Sequence, residues 1–400
     1  MPPLSHPPTD IHRRQVLRAT LSRTEIDAAA VEDVTVGNVL PELGGAKAGR
    51  MALIHAGFPY TTAFNTVNRQ CSSGLQAVTN VAQQIRTGML QVGIAGGVES
   101  MTRNYGSRAI PVDLSPELRN SHSQDALDCI MVSARPPSRG GGGAAEGSVG
   151  LTAGQTQQPM GLTSENVALR YGVSREDQDR FAAESHRKAA AAQAAGLFDA
   201  EIVPMETRWI DGDGRETRVL VAHDDGVRPT ATPESLAKLK PAFRADGSST
   251  AGNSAQVSDG AAAALMMRRD VAETLGCAPV AKFVATAVAG VKPDEMGVGP
   301  AAAIPRVLDM AGIAVADVGI WELNEAFASQ AIYCVRTLGL PPDRVNPKGG
   351  AIAIGHPLGA TGTRQLAALL PELQRQDEKV GVISMCIGTG SGLAAIVVRE

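Results

Sequence analysis

The spacing of apolar runs and amphipathic stretches along the chain predicts an α/β protein built from two similar halves. The run "QVGIAGGVESM" from Gln91 and the run "KVGVISMCIGT" from Lys379 are both strand-like, and both end in glycine-rich turns. Each run follows an amphipathic stretch that predicts a helix, one beginning at Cys71 and the other at Gly359. Because strands that alternate with helices form α/β layers, we predict two layers of mixed sheet packed as a pseudo-twofold pair.

Further matches support this duplication, and one mismatch interrupts it. Residues 31–40 match 315–327, and residues 258–269 match 390–400. Gly74 and Gly362 occupy the same position in the two predicted helices. The second half opens with a predicted strand at 279–290 before a helix around 301–310, whereas the first half begins directly with a helix near 11–23. We therefore expect the first half to lack its first strand and to leave backbone groups of its sheet without partners.

The middle of the chain matches neither half and predicts an inserted loop domain, called the lid below, at residues 106–245. This division assigns residues 1–105 and 246–272 to the first half and residues 273–400 to the second. Within the lid, the alanine-rich stretch 163–196 predicts a helical segment that Thr163 or Ser164 caps. The stretch "RWIDGDGRETRVLV" predicts a hairpin about a D-G turn. Residues 133–157 are rich in Gly, Ser and Pro without periodicity, and we expect them to be disordered.

Composition excludes several classes of protein. At 400 residues, with 44% apolar and 20% charged residues, the chain can form two or three packed units. Its net charge of −4, with mixed signs throughout, predicts no nucleic-acid partner. We find no apolar run of about 18 residues, no apolar leader and no S-K-L type address, and we expect no membrane span. The five cysteines are scattered singly, which predicts free thiols in a reducing compartment.

Two cysteines and a histidine are the candidates for chemistry. Cys71 lies where a predicted strand leads into a predicted helix, and the positive end of a helix favours a thiolate. Buried cysteines are also common small apolar residues, so position alone leaves both interpretations open. His356 occupies the equivalent loop of the second half, and Cys386 precedes a glycine-rich turn whose N–H groups can hold an anion. Asn324 ends another strand and can donate a hydrogen bond without titrating.

The remaining cysteines lack such a setting. Cys129, Cys277 and Cys334 stand in no glycine-rich turn and beside no candidate base. We predict that all three are packing residues.

Several motifs resemble those of a known family. The stretches "NRQCSSGLQAV", "GGVESMT", "NEAFA", "GGAIAIGHPLGATGTR" and "CIGTGSG" occur in this order and resemble the thiolases. The stretches "QPMGLTSENVA", "KLKPAF" and "AGNSAQVSDGAAA" resemble the degradative 3-ketoacyl-CoA thiolases, especially the peroxisomal type. The resemblance implies thiolase-like duplicated βαβαβαββ halves, mixed sheets in an αβαβα layering, an inserted loop domain and a homodimer. It also implies a peroxisomal location, with the mitochondrion or the cytoplasm as alternatives.

Carried over residue by residue, the resemblance implies the parts of a catalytic site. The nucleophilic cysteine falls on Cys71, the activating histidine on His356 and the acid/base cysteine on Cys386. The asparagine that holds a water matches Asn324, and the backbone N–H groups of Cys71 and Gly388 form a second oxyanion pocket.

Substrate contacts are implied at four further positions, which are Met160, Ala251, Ala255 and Phe327. Relatives usually carry a serine at Ala255, near the pantetheine arm of coenzyme A, so one hydrogen bond worth about 0.5 to 1.5 kcal/mol is missing here. We expect no metal and no cofactor, because no usual ligand spacing is present and coenzyme A is itself a substrate.

The implied activity is thiolysis of a 3-ketoacyl-CoA in fatty acid β-oxidation. Cys71 takes the acyl group, acetyl-CoA leaves, and coenzyme A then accepts the acyl group. An acetoacetyl-CoA thiolase that runs condensation is one alternative. An inactive coenzyme A-binding fragment is a second, because of the missing strand. A cysteine hydrolase is a third, although the pair of cysteines argues against it.

Overall fold

The computed structural model describes residues 9–104, 115, 117, 121–129, 160–210 and 213–400. The segment 133–157, which we expect to be disordered, lies outside these residues. Side chains are described within the same ranges except at residues 9–13, 42, 209 and 210.

Helices and strands alternate along the described chain. The helices are α1 (Thr9–Thr24), α2 (Ala46–His55), α3 (Ser73–Arg86), α4 (Met101–Asn104), α5 (Gln124–Asp128), α6 (Gly161–Arg170), α7 (Arg175–Ala194), α8 (Pro233–Leu236), α9 (Arg269–Thr274), α10 (Gly299–Ala311), α11 (Ala328–Leu338), α12 (Ala351–Ile354) and α13 (Thr361–Arg375). The strands are β1 (Asp33–Gly37), β2 (Ala63–Val67), β3 (Val92–Ser100), β4 (Met205–Ile210), β5 (Glu216–Val221), β6 (Asp259–Met267), β7 (Ala281–Gly290), β8 (Ile320–Leu323), β9 (Val380–Ile387) and β10 (Ser391–Arg399).

The strands form two mixed sheets and one hairpin. Sheet 1 has the order β2-β1-β3-β6, in which only the β3–β6 pair is antiparallel. Sheet 2 has the order β7-β10-β9-β8, in which only the β8–β9 pair is parallel. Strands β4 and β5 form the predicted antiparallel hairpin in the lid. The prediction of mixed sheets in two similar halves is confirmed.

The two sheets and their helices stack in five layers, α-β-α-β-α. Helices α1 and α2 cover the outer face of sheet 1, where Leu17 and Leu53 join a core cluster with Val34 and Ile94. Helices α10 and α11 cover the outer face of sheet 2. Helices α3 and α13 lie between the sheets, and their apolar side chains form one shared cluster with both sheets. Burial on both faces of each sheet explains why the strands are continuous apolar runs.

Glycines let the two central helices meet. A Cβ atom on Gly74 would lie 2.8 Å from the carbonyl oxygen of Gly359, and one on Gly362 would lie 2.3 Å from the nitrogen of Leu75. Thr363 Oγ1 donates to the Gly74 carbonyl at 3.1 Å across the same contact. Both helices begin two residues after the predicted positions, so the N-terminal ends of α3 and α13 face each other between the halves.

Sheet 1 ends differently from sheet 2. In sheet 2, β10 pairs with β9 on one side and with β7 on the other. Its counterpart β6 pairs only with β3 within the described residues. Every residue of β6 is half-buried, whereas most of β10 is buried. The far side of β6 is therefore the place at which the sequence predicts that a strand is lacking.

The lid departs from the predicted single helical segment. Its helical stretch is broken between α6 and α7, where Gly172 adopts a left-handed φ of +64°. Ser174 then caps α7, because its side chain accepts from the Asp177 nitrogen. The predicted cap at Thr163 or Ser164 is wrong, since both residues lie inside α6. Ser164 instead shares hydrogen bonds with the hydroxyls of Ser249 and Ser329 at 2.6 and 2.7 Å.

Candidate active site

Cys71 sits on a tight turn between β2 and α3. The residue before it, Gln70, has a φ of +48°, a left-handed conformation that is unusual outside glycine. Asn68 Oδ1 accepts from the Gln70 nitrogen at 2.9 Å. Ser73 Oγ accepts from the Arg69 nitrogen at 2.9 Å and donates to the Gln70 carbonyl at 2.6 Å. These bonds hold a strained turn, and such strain is concentrated at functional sites.

The resting thiol of Cys71 is protonated. Burial raises its pKa from the ordinary value of 9.0 to about 11; the N–H groups of Gly388 and Cys71 oppose this rise, and the charge of Glu99 makes a smaller contribution to it. The prediction that the helix end would favour a thiolate is therefore wrong for the resting site, because Cys71 is only 9% exposed and desolvation outweighs the dipole. A base must remove this proton before the sulfur can attack.

His356 is the residue that the sequence predicts as this base. Burial, with the nearby Arg364 charge, lowers its pKa from 6.5 to about 3, so the imidazole is neutral at physiological pH. Thr361 Oγ1 donates to the Pro357 carbonyl at 3.0 Å and lies 2.7 Å from His356 Nδ1. Since the hydroxyl proton is thus engaged, Nδ1 carries the imidazole proton and Nε2 keeps a lone pair that can accept one.

The second thiol belongs to the same pocket. Cys386 lies on β9 with no exposed surface. Burial raises its pKa well above the ordinary value, and a charge on Cys71 raises it as well. Cys386 comes two residues before Gly388, whose N–H reaches the Cys71 sulfur, and Met160 lies beside both Cys386 and Gly388. The two thiols therefore approach each other from opposite halves of the molecule.

Asn324 completes this group at the end of β8. Its nitrogen donates to the Ser384 carbonyl of β9 at 2.9 Å. Its side-chain Nδ2 lies 3.4 Å from His356 Nε2, at the long end of the hydrogen-bond range. Its Oδ1 is buried and has no protein partner within the described residues. A buried acceptor without a partner can hold a water or a substrate group.

Gly388 follows β9 and faces the nucleophile. Its N–H reaches the Cys71 sulfur, and a Cβ atom at this position would come within 3.5 Å of Met160 Cε. The next residue, Thr389, has a φ of +73°. This bend directs backbone N–H groups into the pocket.

The predicted substrate positions divide into two groups. Met160 and Phe327 pack against the apolar cluster of Cys386, Met296 and Ala326. The Ala255 nitrogen donates to the Ala326 carbonyl at 3.0 Å, which places Ala255 beside that cluster. Ala251 is exposed in a turn and lies at the protein surface instead.

The sequence matches family models over almost its full length. The model described as "Thiolase, N-terminal domain" matches residues 6–270, and the model described as "Thiolase, C-terminal domain" matches residues 277–399. The chain belongs to the thiolase family.

Named relatives and solved structures agree with this assignment. A "3-ketoacyl-CoA thiolase, peroxisomal" from Yarrowia lipolytica is 49% identical, over 96% of this thiolase and 86% of the relative. The dimeric peroxisomal thiolase of Saccharomyces cerevisiae superposes with a TM-score of 0.83 at 43% identity, covering 98% of this chain and 91% of that one. A second structure of that yeast enzyme, described as five-layered with two core domains of identical topology, has a TM-score of 0.74 at 38% identity, covering 98% and 91%.

This thiolase also contains site residues that the sequence interpretation missed. Glu99 is fully buried beside Cys71, and Thr361 and Ser258 fix His356, since Ser258 Oγ accepts from the His356 nitrogen at 3.2 Å. One signal was available for Glu99, which is the only charged residue in the strand "VGIAGGVES". The hydroxyl residues had no such signal, because Ser and Thr are common in loops.

The other cysteines of this thiolase follow the prediction only in part. Cys334 is buried as predicted, and Cys277 is half-buried. The prediction for Cys129 is wrong, because this residue is exposed just after the short helix α5. Its sulfur lies 3.7 Å from the Thr389 carbonyl, and the end of a short helix provides too little surrounding structure to bury it.

Within the described ranges, no group of three His, Cys, Asp or Glu side chains is placed to hold a metal ion. No helix among the same residues has the length and apolar character needed to cross a membrane.

Proposed function

We propose that the chain is a degradative 3-ketoacyl-CoA thiolase, an acyltransferase of fatty acid β-oxidation. The observation that supports this proposal is that Cys71 accepts from the Gly388 N–H and packs in one cluster with Leu358, from the loop that carries His356. Cys71, Cys386 and His356 provide a nucleophile, an acid and a base without a metal. The 49% identity to a named 3-ketoacyl-CoA thiolase supports the substrate class.

In the first half-reaction, Cys71 attacks the 3-keto carbon while its proton passes to Nε2 of His356. The developing oxyanion meets the N–H groups of Cys71 and Gly388, and each such donor supplies about 3 to 4 kcal/mol of transition-state stabilisation. The bond between C2 and C3 then breaks. Its electron pair forms the enolate of acetyl-CoA, which His356 and a group held by Asn324 stabilise and which the Cys386 thiol protonates.

In the second half-reaction, the Cys386 thiolate removes the proton of free coenzyme A. The coenzyme A sulfur attacks the carbonyl of the acyl-Cys71 thioester, and the same two N–H groups stabilise the new oxyanion. Cys71 leaves as a thiolate and recovers its proton. The product is an acyl-CoA two carbons shorter than the substrate, and the net proton balance is zero.

Two further properties belong to the same proposal. Leu43, Met51 and Tyr60 are 94%, 72% and 83% exposed near β2, an edge strand of sheet 1 among the described residues. An apolar patch beside an open edge suits an interface with a second copy, and the yeast relative is described as dimeric. The relatives' names support a peroxisomal location for this enzyme.

The test is detection of the acyl-enzyme. A purified sample is mixed with a medium-chain 3-ketoacyl-CoA in the absence of coenzyme A, and the intact mass is measured. We expect one acyl group on Cys71, none in Cys71→Ser, and an unchanged adduct in the control Cys277→Ser. A folded protein that forms no adduct, or forms it at another residue, contradicts the proposal. Substrates of four to sixteen carbons then separate a degradative enzyme from one restricted to acetoacetyl-CoA.

A further inference from the structure

A buried carboxylate lies at the end of β3, on the wall of the nucleophile's pocket. Glu99 has no exposed surface and is the only charged residue of β3. A carboxylate in such a position is costly unless hydrogen bonds satisfy its oxygens.

Backbone N–H groups from both halves satisfy this carboxylate. Oε2 accepts from the Val39 nitrogen at 3.1 Å, and Oε1 accepts from the Leu40 nitrogen at 3.2 Å. Oε2 also accepts from the Gly359 nitrogen at 3.1 Å. Val39 and Leu40 follow β1 in the first half, whereas Gly359 precedes α13 in the second. One side chain therefore joins the two halves where they face each other.

The segments held by Glu99 form the walls of the Cys71 site. Leu40 and Leu358 pack with Cys71 and Met101 in one small apolar cluster. Leu358 directly precedes Gly359, whose N–H donates to Glu99, and it follows the base His356 by two residues in the same loop. The position of the base relative to the nucleophile thus depends on the Glu99 carboxylate.

We propose that Glu99 is a positioning residue for the acyl transfer, which fixes the loop of the base in the second half against the nucleophile turn in the first. The inference rests on the proposed function, because it takes Cys71 as the nucleophile and His356 as its base.

The charge of Glu99 has a second effect on the same thiol. Glu99 from β3 and Cys386 from β9 are the titratable groups that interact with Cys71, and Arg364 acts on His356 in the loop before α13. His356 is neutral, so Glu99 is the charge that acts on Cys71, and it disfavours the thiolate. The sulfur stays protonated until the base is engaged, which protects it from unwanted alkylation and oxidation.

Three variants separate these effects. Glu99→Gln removes the charge and places an NH2 group opposite a backbone N–H that now donates to a carboxylate oxygen. Glu99→Asp keeps the charge, but its shorter side chain does not reach both loops. Glu165→Gln is the matched control, because Glu165 is a buried carboxylate of the lid that accepts from the nitrogens of Ser248 and Ser249 at 2.8 and 2.9 Å.

Two measurements are made on each folded variant. The pH profile of Cys71 alkylation by iodoacetamide, followed by peptide mass spectrometry, reports the thiol without any turnover. Steady-state thiolysis reports kcat and KM. For Glu99→Gln we expect the alkylation profile to move to lower pH, and kcat to fall by about 100-fold with little change in KM. For Glu99→Asp we expect the same loss of kcat with the wild-type profile.

The outcomes distinguish this inference from the proposed function. A folded Glu99→Gln with wild-type kcat and profile overturns the inference, and so does an equal shift of the profile in Glu165→Gln. If Glu99→Gln does not fold, an unchanged kcat in Glu99→Asp overturns it instead. If the wild-type protein forms no acyl-enzyme, the proposed function is refuted. The alkylation profiles then still report whether Glu99 acts on the Cys71 thiol.

Discussion

Gly362 of α13 packs its backbone directly against the backbone of Leu75 in α3. A Cβ atom on Gly362 would lie 2.3 Å from the Leu75 nitrogen, and that backbone atom cannot move without its helix. We expect Gly362→Ala to separate the two helix N-termini and to lower the free energy of unfolding by about 1 to 3 kcal/mol. Urea denaturation measures the loss, and kcat should fall with it, because the nucleophile and the base lie on opposite sides of this contact.

Gly290 is the matched control for this substitution. It ends β7 without a left-handed φ, and an added Cβ atom would meet nothing within 4 Å. We expect Gly290→Ala to leave both stability and kcat close to wild type. Equal stability of the two variants would contradict the close helix contact.

The imidazole of His356 makes stability depend on pH. Its pKa is about 3 in the folded protein and near the ordinary 6.5 in the unfolded chain. Below pH 6.5 the unfolded chain binds a proton that the folded protein does not, so stability falls as the pH falls. The loss between pH 7 and pH 5 is about 2 kcal/mol.

Replacement of this histidine isolates its contribution to the pH dependence of stability. We expect His356→Asn to lose that part of the pH dependence when unfolding is measured at pH 7 and pH 5. Burial also lowers the pKa of His186, and this group contributes equally in both proteins. An identical slope with and without His356 would refute the buried neutral imidazole.

Lys348 forms a buried ion pair that joins the lid to the second half. Its Nζ lies 2.8 Å from Glu201 Oε2, and the two side chains are 2% and 8% exposed. We expect Glu201→Gln to lower the free energy of unfolding by about 3 to 5 kcal/mol, because it leaves an ammonium group buried without its partner. Glu184 pairs with Arg187 at the surface, so Glu184→Gln should cost less than about 1 kcal/mol. Thermal unfolding of both variants checks the difference.

Asn324 is expected to act on the reaction and not on stability. Its Oδ1 has no protein partner among the described residues, so Asn324→Ala removes no hydrogen bond from that atom. We expect kcat to fall by about 100- to 1,000-fold, the typical effect of a lost oxyanion donor, with the melting temperature within about 2 °C of wild type. A normal kcat in this variant would exclude Asn324 from the reaction.

The alternation of strands and helices in two similar halves could be predicted because its signals are local. Strands buried on both faces must be apolar runs, so "QVGIAGGVESM" and "KVGVISMCIGT" were recognisable as matching strands. The glycines at Gly74 and Gly362 held the same position in both helices, which is what a close backbone contact requires. The break at Gly172 was readable as well, since Ser174 followed by Asp177 is a capping pattern, but the surrounding alanines favoured one continuous helical segment.

The remaining features depend on distances that the sequence does not contain. The helix end beside Cys71 predicted a thiolate, whereas burial of that sulfur raises its pKa to about 11. The partners of Glu99 lie 59 to 260 residues away along the chain. Lys348 and its partner Glu201 are also far apart along the chain, by 147 residues. The position of Lys348 in a glycine-rich motif gave no reason to expect a buried ion pair.

The far side of β6 is an edge at which another extended segment can add to sheet 1. From Gly260 to Met267 the backbone groups on that side face no strand within the described residues, and the side chains above and below are only half covered. An extended segment laid there gains main-chain hydrogen bonds and apolar contact together. We therefore expect copies of the chain to associate along this edge of β6 when the protein is concentrated.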